Sequence, residues 1–257
     1  MNNYKKIGLT ALAASLVSVS AHAGALTASG SASMNSEGKT GNGLNAGTTF
    51  SMANSVTFTG SGELDNGNSF TVNIYHDDQN AWSSADISVD LAGIGTVTFD
   101  QAGGTGLDRL DDKMPTAWEE SYDAGLGSGI VTATGAGGGT DIELAISSDM
   151  LPDGVSAYIS YAPKADGTAV NDKAVGGITT DGVNHGWDVV VEHSALMDGV
   201  NLFAGYSHID QSDSSSNDDR SSWVAGGTYA IGSFTIGYQH YNDSMGRTAI
   251  DAYENDA

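Results

Sequence analysis

A group of charged side chains between residues 106 and 123 has the clearest chemistry in this sequence. Only two basic residues accompany six acids there: the bases are Arg109 and Lys113, and the acids are Asp108, Asp111, Asp112, Glu119, Glu120 and Asp123. Around an aqueous opening, such a group would attract cations and repel anions. On an outer surface, the same residues would be ordinary solvated charges. Charge alone leaves both interpretations open.

Other chemistries have weaker support. The chain has no cysteine, which excludes disulfides, thiolate metal sites and cysteine nucleophiles. Its histidines are not clustered as metal ligands are, and no motif pairs one with a serine or an aspartate as hydrolases do. The acidic segment 213–219 lacks the glycine and the closing glutamate of an EF-hand loop, so the most we expect there is weak Ca²⁺ binding. We expect no cofactor and no catalysis.

The first residues indicate export. Lys5 and Lys6 precede an apolar run from Ile7 to Val19, and the run ends at the small-residue site Ala21-His22-Ala23. This order is typical of a secretory signal, which predicts cleavage after Ala23 and a mature chain of 24–257. An N-terminal membrane anchor is the alternative, but the run is short for a spanning helix.

The net charge restricts the partners. The chain has 9 basic against 32 acidic residues, a formal charge of -23. Nucleic acid is therefore excluded as an expected partner, because its phosphates would be repelled. Thirty-five glycines and three prolines suit a protein of strands and turns.

Alternation of side-chain character predicts about twelve β-strands. They fall near 25–34, 54–64, 68–77, 85–91, 95–102, 140–148, 154–162, 186–194, 200–208, 221–231, 233–241 and from 248 onward. The segment 223–238 illustrates the pattern, because Trp223, Tyr229 and Phe234 share one face while small or polar residues such as Val224 and Thr228 form the other.

The inward faces of the second to fifth strands are predicted to be polar and to carry no Lys or Arg. They comprise Thr57, Thr59, Ser61, Asn73, Tyr75, Asp86, Ser88, Asp90, Thr96, Thr98 and Asp100. Aromatic side chains near strand ends are candidates for girdles at the membrane interfaces: Tyr158, Tyr161, Trp187, Tyr206, Trp223, Tyr229, Tyr238 and Tyr241.

The connections between strands alternate in length. Every second one is short, as at Asp65-Asn66-Gly67 and Ala92-Gly93-Ile94, whereas most of the others are longer and more polar. Short turns on one rim and long loops on the other are typical of a transmembrane antiparallel β-barrel with a polar, water-filled interior. A soluble β-sandwich has no reason to sort its loops in this way.

The longest connection, residues 103–139, follows the fifth strand and carries the charged group; we call it the long loop. Long ordered loops in compact folds are usually functional. Leu107, Leu110 and Met114 have helical spacing, which predicts one short helix. Gly135 to Gly139 is interpreted as a flexible link to the sixth strand.

These features resemble the Gram-negative general porins, especially their alphaproteobacterial branch. The resemblance rests on the strand Leu26 to Met34, on the turn and strand from Ala92 to Phe99, and on the long loop from Asp111 to Asp123. It implies a 16-stranded homotrimeric barrel in the outer membrane, with the third external loop folded inward as the pore constriction. It also implies that acids on this loop face basic residues on the wall.

The sequence departs from this family pattern in two ways. The predicted wall segment has no basic cluster, which favours a uniformly negative, cation-preferring pore. The chain ends at Ala257 without the aromatic-ended closing strand of such porins, so we expect a C-terminally truncated sequence with about twelve of sixteen strands.

The sequence therefore predicts an outer-membrane porin through which small hydrophilic solutes and ions diffuse passively. Its pore constriction would contain Asp108, Arg109, Asp111, Asp112, Lys113, Glu119, Glu120 and Asp123. The expected surroundings are outer-membrane lipid and two further copies of the chain. The alternatives are an exported soluble β-protein that acts as an adhesin or binds a ligand, and an outer-membrane barrel enzyme.

Overall fold

The fold was analysed in a computed structural model. It describes residues 26–39, 47–77, 84–101, 104–111, 113–115, 135–136, 141–163, 165, 185–210, 218–244 and 253–256. The predicted signal segment 1–23 and the acidic segment 213–217 lie outside the described residues. None of the described helices is long and apolar enough to span a membrane.

Within the described part of the chain, twelve β-strands form one antiparallel sheet in which each strand pairs with its neighbours in sequence. The strands are β1 (Leu26–Lys39), β2 (Gly47–Glu63), β3 (Ser69–Asp77), β4 (Ser84–Leu91), β5 (Gly95–Asp100), β6 (Asp141–Ile146), β7 (Val155–Ala162), β8 (Gly186–His193), β9 (Val200–Ile209), β10 (Arg220–Ile231), β11 (Phe234–Ser244) and β12 (Tyr253–Asp256). Short 3-10 helices at Gly106–Leu110 and Ser148–Met150 lie in the described connections.

The predicted strands are confirmed in number and order, with corrections to their lengths. β1 and β2 extend toward each other beyond the predicted ends and pair as far as Lys39 with Gly47. Much of the predicted polar connection 35–53 is therefore strand, and Phe50 and Met52 continue the side-chain alternation of β2 within it. The last strand is described from Tyr253 rather than from residue 248.

The two faces of the sheet differ as a period of two requires. Large apolar side chains are exposed on one face, including Phe58, Ile87, Trp187, Trp223 and Ile236. Exposing such a broad apolar surface to water would cost free energy, so this face is suited to contact with lipid or another apolar partner. We call this the outer face and the opposite one the inner face.

The inner face carries a row of aligned polar side chains that crosses six strands. Strand register places them side by side in the order Glu143, Ser160, Asp188, Ser207, Ser222 and Asp243. All of them are buried. Burying a polar group without a hydrogen bond costs free energy, so buried polar groups normally have hydrogen-bond partners. We therefore expect another part of the chain to cover this row and to bind it.

A second, largely apolar row lies two residues farther along the same strands. It contains Tyr158, Val190, Gly205, Val224 and Tyr241, which are neighbours in register. The prediction that Tyr158 and Tyr241 belong to an outer aromatic girdle is therefore wrong, because alternation turns both rings to the inner face. The other predicted girdle residues are exposed on the outer face: Tyr161, Trp187, Tyr206, Trp223, Tyr229 and Tyr238.

The short connections are tight turns as predicted. Ile94 N donates to Leu91 O at 2.8 Å, and Gly67 N donates to Leu64 O at the same distance. Gly67 and Gly93 adopt positive φ angles of 85° and 79°, a region that glycine enters without a steric cost. These turns fix the register of the β2–β3 and β4–β5 pairs.

Candidate functional site

The described start of the long loop packs against the inner face. The predicted short helix is a 3-10 helix, Gly106–Leu110, rather than a longer helix that reaches Met114. A 3-10 helix has three residues per turn, so Leu107 and Leu110 project from the same side. Both side chains are completely buried and pack with Val190, Phe203 and Val224 of the wall. The loop is therefore fastened through the apolar row.

Glycines in the wall make room for these loop side chains. A Cβ atom placed on Gly205 would lie 2.5 Å from Leu107 Cδ1, and one on Gly237 would lie 2.9 Å from Pro115 Cδ. Contacts this short do not occur between real atoms, so a larger residue at either position would displace the loop.

Backbone N–H groups of the long loop bind carboxylates of the polar row. Leu107 N donates to Asp188 Oδ2 at 2.8 Å, and Gly106 N donates to Glu143 Oε2 at 2.7 Å. At the other described end of the loop, Ala136 N donates to Asp188 Oδ1 and to Ser207 Oγ, each at 3.0 Å. The backbone of the loop thus satisfies three members of the buried polar row, Glu143, Asp188 and Ser207.

Arg109 makes an ion pair with Glu143 of β6, and its guanidinium carbon lies 3.9 Å from the centroid of the Tyr158 ring. A guanidinium stacked on an aromatic face gains a cation–π interaction in addition to the charge pair. Ser160 Oγ also donates to Glu143 Oε2 at 3.2 Å. This pair is partly shielded, because the Glu143 side chain is only 3% exposed.

Lys113 makes the second ion pair between the loop and the wall. Its Nζ lies 2.8 Å from Glu192 Oε2, and both side chains are partly exposed. The pair borders a cavity of about 350 Å³ that is also lined by Ser156, Asn201 and Thr228. Charged and polar groups thus face open space beside the loop.

The wall across β3 to β5 is acidic. Asp86 and Asp100 are direct neighbours on paired strands. Asp86 accepts hydrogen bonds from the Asn73 amide at 3.0 Å and from the Tyr75 hydroxyl at 2.7 Å. These residues line a second cavity of about 440 Å³, which also reaches Gly104 at the start of the long loop.

One basic residue of the wall is itself paired. Arg220 of β10 is 3% exposed and forms an ion pair with Asp243 of β11, with Nε donating to Oδ1 at 2.9 Å. Ser222 donates to the same carboxylate oxygen at 2.9 Å. A buried pair with additional hydrogen bonds has its charges largely compensated.

The predicted site residues have different surroundings. Asp108 is buried, and its Oδ2 accepts from Gly104 N at 2.7 Å. Asp111 N donates to Asp108 O at the end of the 3-10 helix. Arg109 and Lys113 are brought onto the wall as described above. Asp112, Glu119, Glu120 and Asp123 lie outside the described residues.

The prediction did not include the wall carboxylates that bind the loop, namely Glu143 and Asp188. A sequence signal existed, since Asp188 stands between Trp187 and Val189, and Glu143 between Ile142 and Leu144. Alternation assigns both acids to the inner face. It does not reveal that the long loop covers them, because that contact joins residues 37 and 81 positions apart in sequence.

The described residues include no group of three or more His, Asp or Glu side chains arranged to hold a metal ion. Three carboxylates of the inner face instead contact backbone N–H groups, hydroxyls and basic side chains: Glu143, Asp188 and Asp243.

Comparison with known proteins identifies the fold. A family model described as Gram-negative porin matches residues 8–257. A porin structure refined at 1.8 Å resolution is 16% identical, with a TM-score of 0.58 over 90% of this chain and 75% of its own. An engineered mutant of Rh. blastica porin is 17% identical, with a TM-score of 0.45 over 90% and 88% of the two chains. No curated protein sequence matches the chain significantly.

Proposed function

Because the chain belongs to the Gram-negative porin family and is therefore an outer-membrane channel for the passage of solutes and ions, we propose that this channel prefers cations. The twelve strands of the described residues form an antiparallel β-barrel wall whose apolar outer face suits lipid. Family membership favours passive diffusion over catalysis.

The observation that carries this proposal is the pairing of the basic side chains. The lysines and arginines whose side chains the structure describes are Arg109, Lys113 and Arg220. Each forms an ion pair with a carboxylate of the wall. Their positive charges are therefore compensated locally and offer little attraction to a passing anion.

Carboxylates of the inner face exceed these three bases. Those on the described strands include Asp86, Asp90, Asp100, Glu143, Asp188, Glu192 and Asp243. Asp86 is held by an uncharged amide and an uncharged hydroxyl. Its negative charge is thus oriented by its partners without being cancelled. An aqueous passage lined in this way concentrates cations.

The acids of the long loop are proposed to strengthen this preference. Neutralising Asp111, Asp112, Glu119 and Glu120 together should lower the cation preference if their carboxylates face the passage. An unchanged preference would remove these four residues from the proposed constriction.

The finer points of assembly also belong to the proposal. We propose that residues 1–23 are an export signal cleaved near Ala23 and that the mature chain spans the outer membrane as a homotrimer. The support is the order of charged, apolar and small residues at the N-terminus and the family resemblance.

The test is planar-bilayer conductance of the membrane-extracted protein, with the reversal potential measured in a salt gradient. Stepwise openings, grouped in threes, with a reversal potential of the cation-selective sign would support the proposal. A folded protein that conducts with an anion-selective reversal potential would contradict it. Migration in detergent gels before and after boiling gives the independent check that the barrel is folded.

A further inference from the structure

We propose that Asp188 is the positioning residue that sets the aperture of the channel, because it holds both ends of the long loop against the wall. The proposal rests on the channel function of the chain. It does not depend on which ions the channel prefers.

The two oxygens of Asp188 bind two separate parts of the loop. Oδ2 accepts from Leu107 N at 2.8 Å, and Oδ1 accepts from Ala136 N at 3.0 Å. Leu107 stands near the start of the loop and Ala136 near its end. One carboxylate on β8 therefore binds both described ends of the loop. It is the side chain through which these two ends are held at one point of the wall.

The loop backbone comes unusually close to this carboxylate on both sides. A Cβ atom on Gly106 would lie 2.3 Å from Asp188 Oδ2, and one on Gly135 would lie 2.8 Å from the same oxygen. Both glycines have positive φ angles, 52° and 62°. Residues with side chains would be excluded from both positions by this contact and by the backbone conformation. Glycine at both positions thus lets the backbone at each end of the loop come close enough to hydrogen-bond to Asp188.

We call the two hydrogen bonds from the loop to Asp188 the clamp, and their chemistry requires a carboxylate. Asp188 is completely buried, so its oxygens need N–H partners in place of water. An asparagine has nearly the same volume but only one acceptor oxygen, and its amide nitrogen would oppose one of the two N–H donors. Asp188→Asn should therefore release one end of the loop without leaving a large cavity.

The experiment compares Asp188→Asn with the unaltered protein in planar bilayers. Three quantities are measured: single-channel conductance, current noise in the open state, and the largest neutral polyethylene glycol that enters the channel and lowers its conductance. A released loop end predicts higher conductance, greater noise and entry of larger polymers. Unchanged noise and an unchanged polymer size limit in folded Asp188→Asn channels would overturn the proposal.

The matched control is Asp90→Asn on the inner face of β4. This substitution also removes one carboxylate, but at an exposed position of the wall away from the described ends of the loop. It should leave the polymer size limit and the noise unchanged. If Asp90→Asn raises the polymer size limit as much as Asp188→Asn does, the increase comes from the loss of a charge, and the clamp is refuted.

A second variant keeps the test decisive if Asp188→Asn does not fold. Gly135→Ala would place a Cβ atom 2.8 Å from Asp188 Oδ2, which pushes this end of the loop away from the carboxylate and changes no charge. It should raise the polymer size limit and the noise in the same direction by a smaller amount. Wild-type values for this folded variant would overturn the proposal. Reversal potentials from the same recordings test cation preference separately, so either idea can fail alone.

Discussion

Lys113 Nζ lies 2.8 Å from Glu192 Oε2, so that a base on the long loop meets an acid on the wall. Arg109 and Glu143 repeat this arrangement two strands away, on β6. It is the reverse of the polarity that the family resemblance implies, in which loop acids face wall bases. The described loop therefore brings positive charge to a negative wall and is held there by it.

Opposite changes in ion preference are predicted for the two partners of this pair. Lys113→Gln leaves the Glu192 carboxylate uncompensated and should raise the cation preference, whereas Glu192→Gln leaves the ammonium uncompensated and should lower it. The measurement is the reversal potential in a salt gradient. The double variant should return close to the unaltered protein.

Stability should change little in the same variants, because partly exposed ion pairs contribute only about 0.2–1 kcal/mol. The temperature at which the folded form is lost in detergent gels provides this control. Shifts of the same sign in ion preference for both single variants would contradict the pairing.

Asp86→Asn is predicted to lower the cation preference. The Asp86 carboxylate on β4 lines the cavity formed by residues of β3 to β5. It is oriented by the Asn73 amide and the Tyr75 hydroxyl. The effect should fade as the salt concentration rises from about 0.1 to about 1 M, since the screening length falls from about 10 Å to about 3 Å. Asp198→Asn, at an exposed position in a short turn, removes the same charge outside the passage and should have no effect. An equal effect of both substitutions would point to total charge.

Gly205→Ala is predicted to destabilise the barrel by about 1–3 kcal/mol, the usual cost of overpacking a core. The new methyl group would lie 2.5 Å from Leu107 Cδ1 and 3.0 Å from Val190 Cγ2. Gly60→Ala is the control, because no heavy atom lies within 4 Å of its added Cβ. Thermal loss of the detergent-resistant folded form measures both variants. Equal thermal stability of the Gly205→Ala and Gly60→Ala variants would show that Leu107 of the long loop does not pack against Gly205.

Gly95→Ala should impair folding more than Gly93→Ala does. Both residues follow β4 and have positive φ angles, 144° and 79°, so both substitutions carry backbone strain. Only at Gly95 would the added Cβ also collide with backbone, 2.0 Å from the Ala145 carbonyl oxygen. The yield of refolded, heat-modifiable protein measures the difference. Equal yields would mean that β5 and β6 separate readily at this turn.

The fold was largely predictable because strands and tight turns depend on local sequence. Alternation in segments such as 223–238 assigned the outer face correctly, and Gly67 and Gly93 marked turns that exist. The first hairpin was predicted too short, although Phe50 and Met52 continue the alternation of Val56 and Phe58 toward the start of β2. The placement of the loop after β5 came from connection length.

The sequence by itself determined the strand order, the two faces and the excess of acid over base. These follow from a side-chain period of two and from composition, which need no knowledge of distant contacts. Only the tertiary structure decided which inner-face residues hold the loop. Strand register aligns Glu143 with Ser160 and then with Asp188, and the loop reaches them from positions far away in sequence. Alternation places each acid on a face, but a bond such as that between Leu107 and Asp188 depends on the path of the whole chain.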